Sequence, residues 1–175
     1  AYPLSMKLMH WAVGGCALAC IGTVQAAMYT KKDYKPVGMS KGELMNLHKS
    51  FGLLVAGGIA PRILLRLTSR VPGDLPGNAV EHLAGKVAHF GLYALLFVLP
   101  GSGIAMGYFG GKGLPFFGYH IAGAPDDKKD GEVAKNAFKV HKQAGQALEY
   151  LTLAHFGATG WHLFKGHSIM RRIVP

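Results

Sequence analysis

Two cysteines are all that this 175-residue chain contains. Cys16 and Cys20 stand four apart inside an apolar run, which excludes a disulfide framework and a CxxC redox pair and leaves two small apolar residues on one helical face. Charge is scarce as well: 16% of residues carry it, against about 25% in an ordinary soluble domain. Acidic residues are scarcest, nine Asp and Glu against 19 Lys and Arg, so a proton pathway through the apolar runs has only Glu149 to use. No internal repeat, low-complexity tract or nucleic-acid motif is present, and no basic patch is interleaved with aromatics. The formal charge of +10 therefore does not point to nucleic acid.

What the chain has instead is long stretches without charge. Met9–Met28 and Val87–Tyr108 carry none, Phe51–Leu65 carries one Arg, and Ala144–Phe164 carries one Glu. Each is close to the roughly 20 residues that cross a bilayer core. The basic residues lie between and beside these runs, where they anchor helix ends at a lipid interface. The first run has a histidine near its start and is too long for a secretory h-region, so it reads as a span and not as a separate leader. Ser40-x-x-Glu43 is a capping box that opens the second helix, Pro100 between glycines predicts a kink in the third, and 110–132 is a long loop whose apolar half lies on the helices or in the headgroup layer. The expected fold is all-α: one membrane-embedded domain, 1–175, with helices at about 3–28, 43–67, 79–108 and 132–167 forming a transmembrane up-down four-helix bundle. Such bundles place cofactors between facing helices.

Alternating chain direction assigns depth to the histidines. With face A the side carrying the N-terminus, His10 and His89 lie toward A, and His48 and His141 toward the opposite face, B. Fourteen residues at about 1.5 Å each put His155 about 21 Å beyond His141, back toward A. Fourteen steps of about 100° also make nearly four whole turns, so both project from one stripe of the helix. Two pairs result, His48 with His141 and His10 with His155. Histidines facing each other across a bundle can hold a haem iron through both axial positions. Gly14, Gly52 and Gly145 each follow a proposed ligand by four residues and leave room for a flat ring. Zinc fits poorly, because no Cys or carboxylate completes a tetrahedral set around either pair. The bland reading of a single intramembrane histidine is an interhelical hydrogen bond; four paired by depth favour two haems.

Arg62 shares the face of His48 at the depth of side A, with Arg66 one turn further out. Both are candidates for haem propionates or a quinone pocket, since guanidinium binds carboxylates in a bidentate fork. His89 could replace His10 or His155 as a ligand, or line a substrate pocket. His162, seven residues beyond His155, is placed beside a quinone pocket, and Glu149 lies off the ligand stripe.

"MHW", "LHKSFG…PRILLRL", "AHFGLYALLFVLPGSGIAMGY" and "VHKQAG…LAHF…WH…RRIVP" together resemble the bacterial-type, four-helix cytochrome b561 family over nearly the whole chain. It is similar too to the di-haem anchors of formate dehydrogenases and Ni–Fe hydrogenases. The resemblance implies two haems b ligated by His10, His48, His141 and His155, and transmembrane electron transfer that exchanges electrons with a quinone; one branch oxidises superoxide while reducing ubiquinone. An alternative is an electron-carrying or structural subunit of a larger respiratory or photosynthetic complex. Either implies a multi-pass protein of a bacterial inner membrane, or of a mitochondrial inner or thylakoid membrane, with lipid and quinone as partners.

Overall fold

A computed structural model describes residues 1–175. Four long helices dominate it: α1 (Leu4–Tyr29), α2 (Lys41–Thr68), α3 (Ala79–Phe109) and α4 (Gly131–Phe164). A two-stranded hairpin, β1 (Leu114–Phe116) and β2 (Tyr119–Ile121), precedes α4, and a single turn, α5 (Met170–Ile173), ends the chain.

Local sequence explains where the helices begin and end. Ser40 caps α2 in a capping box with Glu43, and Asn78 does the same for α3 with Glu81, each pairing satisfying two otherwise unbonded helix-start amides. α4 stops at Phe164, three residues before the expected end, because Gly166 turns left-handed at φ +75° and the amides of Lys165, Gly166 and His167 fold back onto Trp161, Leu163 and His162. Such a reversal satisfies the last carbonyls.

α1 packs closely along α2, α3 along α4, and α2 touches α3. Each neighbouring pair runs antiparallel. His10, early in α1, meets Arg62, late in α2; Arg62 meets Tyr93 of early α3; Glu81 at the start of α3 meets Trp161 near the end of α4. A small core of Val13, Val55, Ile59, Leu96 and Leu148 joins all four. Only 13 of 175 residues are buried, while Phe90, Phe97 and Leu153 are each at least 67% exposed. An apolar surface of that extent is solvated by lipid. α1, α2 and α3 are long and apolar enough to cross a membrane. α4 has the length but is less apolar, since its first turns carry Glu132, Lys135, Lys139 and Lys142. Of the four spans expected from the sequence, α1, α2 and α3 have both the length and the apolar character, and α4 has the length alone.

The loop 110–132 is more ordered than a loop reading anticipates. Leu114 pairs with Ile121 and Phe116 with Tyr119 around a tight turn in which Phe117 (φ 44°) and Gly118 (φ 94°) are both left-handed, the signature of a type I′ hairpin. The apolar half does lie on the helices. The Ser50 hydroxyl, buried in α2, accepts from the Phe117 amide at 3.0 Å, and Phe51 meets the Phe117 ring edge-on at 5.4 Å. At the other end, the tail crosses the start of α1: the Tyr2 amide donates to Arg172 and the Trp11 indole to Ile173.

Candidate metal centres

Two imidazole pairs meet across the helix gap. His10 of α1 faces His155 of α4 with ring centroids 6.3 Å apart, and His48 of α2 faces His141 of α4 at 6.0 Å. All four rings are half-buried. The separations can be compared with what a shared iron needs. Imidazole nitrogens about 2 Å from a metal on opposite sides, with about 1.1 Å from nitrogen to ring centre, put the centroids roughly 6.2 Å apart. Both pairs match that span. A Cβ built on Gly14 or Gly52 would meet nothing within 4 Å, and one on Gly145 would only touch Leu99 at 4.0 Å. No protein atom crowds the helix faces beside the four histidines at these glycines, and the ring separations fit a bis-histidine haem at each level.

Hydrogen bonds orient the rings differently at the two levels. The Nδ1 of His48 lies 3.0 Å from the Cys20 carbonyl, and that of His141 lies 2.9 Å from the Leu99 carbonyl and 3.1 Å from the Ser102 hydroxyl. A carbonyl only accepts, so both Nδ1 atoms carry the proton and both Nε2 atoms are free to ligate. Gly103 permits the close approach of α3: a Cβ there would lie 3.3 Å from the His141 ring. At the His10 level the neighbour is a cation. Arg62 donates to the His10 carbonyl at 3.1 Å and to its Nδ1 at 3.0 Å, with the guanidinium over Tyr93 at 5.4 Å.

His89 stands 5.5 Å from His155 and perpendicular to it, its Nδ1 bonded to Gly85 of its own helix at 2.6 Å. His162 pairs Nδ1 to Nδ1 with His167 at 2.9 Å, in a polar group with Glu81 and Lys165 that is separate from the His10–His155 contact. Glu149 accepts from the Gln25 amide at 2.7 Å. Arg66 is half-buried one turn beyond Arg62. Sequence reasoning did not single out Ser102 or the Cys20 and Leu99 carbonyls. Backbone acceptors carry no residue signature, so only their place opposite a histidine reveals them.

The profile of the prokaryotic cytochrome b561 family matches residues 1–175. Cytochrome b561 homolog 2 of Escherichia coli (strain K12) is 39% identical over 131 residues, which cover 73% of this chain and 69% of that protein.

Proposed function

This chain belongs to the prokaryotic cytochrome b561 family, and from that premise we propose that it carries single electrons across a membrane through two haems b. His10 and His155 hold one group, His48 and His141 the other. The observation that carries this reading is the pair of cross-helix imidazole contacts at 6.3 and 6.0 Å. α4 contributes one ligand to each level, and on this reading it crosses the bilayer as the fourth member of an up-down bundle.

The haems supply the one-electron chemistry when bound; the protein's share is placement and tuning. Cys20, Leu99 and Ser102 fix the tautomer and plane of two ligand rings. Gly14, Gly52 and Gly145 leave the macrocycles their space. No protein nucleophile or acid is needed for one-electron steps. A quinone, dissolved in lipid, is the exchange partner that suits a protein with so much lipid-facing surface. Arg66 at face A is assigned to a propionate or a quinone carbonyl, and His89 and His162 to the protons that quinone chemistry consumes or releases. Superoxide is the small anion that a chain with 19 basic and nine acidic residues would attract. A second reading has its own support: Tyr119, Ile121 and Phe117 of the hairpin are 77%, 50% and 47% exposed, which suits docking to another subunit of a respiratory or photosynthetic complex. The membrane is assigned as a bacterial inner membrane or an organellar equivalent.

Vesicles with ferricyanide trapped inside test the function. Quinol added outside reduces the trapped dye when the protein is present and fails to do so with His141→Ala. Equal reduction by that variant refutes transfer through the two-level path.

A further inference from the structure

The two levels differ in charge, and the difference has a direction. Arg62 places a permanent positive charge against His10, held there by the His10 carbonyl and the Tyr93 ring. Were His10 to bind iron through Nε2, its proton would sit on Nδ1 and the guanidinium would lose its Nδ1 contact, while the bond to the His10 carbonyl would be unaffected by that proton. The charge stays in either case. Glu149, the intramembrane carboxylate, is engaged by Gln25 and not by Arg62, so it does not cancel that charge. The His48–His141 level has the opposite bias. Both Nδ1–H groups donate to backbone carbonyls, which pushes electron density onto the ligating nitrogens. Lys139 and Lys142 nearby are exposed and screened by solvent, and Lys49 follows His48 directly, so it projects about 100° away from it.

A nearby cation favours the reduced state of an iron centre, and a more electron-rich ligand favours the oxidised state. We propose that Arg62, through His10, and the carbonyl-bonded rings of His48 and His141 split the two centres, setting the one at face A above the one at face B. With haem held at both levels, an electron given up at the His48–His141 level would be taken up at the His10–His155 level, so current would run from the hairpin end of the protein to the end where the chain termini meet. Arg62 acts as a positioning and tuning residue, since it works through His10. This inference rests on the two-haem reading.

Potentiometric titration of the purified, haem-loaded protein tests it. Two one-electron midpoints are expected. His141→Ala should retain the higher one and His155→Ala the lower. A charge one imidazole ring away, at an effective dielectric of about 20, is worth at least tenfold in a reduction equilibrium. Arg62→Gln should therefore lower the upper midpoint by at least about 59 mV, the one-electron equivalent of tenfold, and leave the lower in place. Arg62→Lys, which keeps the charge, should stay near the native value. If Arg62→Gln does not fold, the lysine variant decides: an upper midpoint lost despite the retained charge overturns the inference. So does a single shared midpoint, a higher midpoint retained by His155→Ala, or an Arg62→Gln shift in both centres or neither. Two haems with coincident midpoints defeat only this inference, whereas a colourless protein defeats the function itself.

Discussion

Two histidines compete to face His155, and the structure predicts which one matters. His10 lies 6.3 Å from it and His89 lies 5.5 Å from it, ring to ring. A shared iron asks for roughly 6.2 Å, so His10 is in place while His89 stands too near. Functional geometry is usually held within about 0.5 Å, and the His89 shortfall exceeds that. Its ring is also tied to Gly85 of its own helix at 2.6 Å, so moving outward costs a hydrogen bond worth about 1 kcal/mol. His10→Ala should therefore cut the haem content from about two per chain to about one, and His89→Ala should leave it unchanged. Each remaining haem in His10→Ala should keep the low-spin spectrum of the His48–His141 level. The pyridine haemochrome of each variant, normalised to protein, reads the result. Loss of a haem from His89→Ala together with retention in His10→Ala would make His89, not His10, the partner of His155.

Other substitutions probe single contacts. A Cβ at Gly14 meets no protein atom within 4 Å, so Gly14→Leu should leave folding intact yet lose the haem at the His10 level; a full haem complement would show that the space serves lipid instead. Ser50→Ala leaves the Phe117 amide without its acceptor, at a cost of about 1–3 kcal/mol. Hydrogen exchange at residues 114–121 should rise about tenfold or more, and unchanged protection would contradict the anchoring role. Glu149→Gln keeps an oxygen for Gln25, so haem content and transfer across vesicles should persist; a large loss of rate would make Glu149 a proton carrier.

Much of this molecule is legible from its residues, and the exceptions have physical reasons. Charge-free runs mark the helices because lipid tolerates few charges, and the capping box at Ser40 and Glu43 appears as read. Pairing the histidines by depth sets opposite one another the same rings that the structure brings to about 6 Å, since a rigid helix turns fourteen residues into both a distance and an angle. The hairpin hides in a glycine-rich stretch: its strands are three residues each and its turn puts a phenylalanine where glycine is usual. α4 appears longer in sequence than it is, because Gly166 ends it without breaking the apolar pattern. Arg62 shows its depth in sequence but not its partner, and His162 turns to His167, a contact made only because the chain reverses there.

Whether iron sits between histidines at two depths of one helical scaffold is read from the haem b content per chain of the purified wild-type protein. One bis-histidine site at each level gives a value near two. A value of one or none rules out the two-level arrangement.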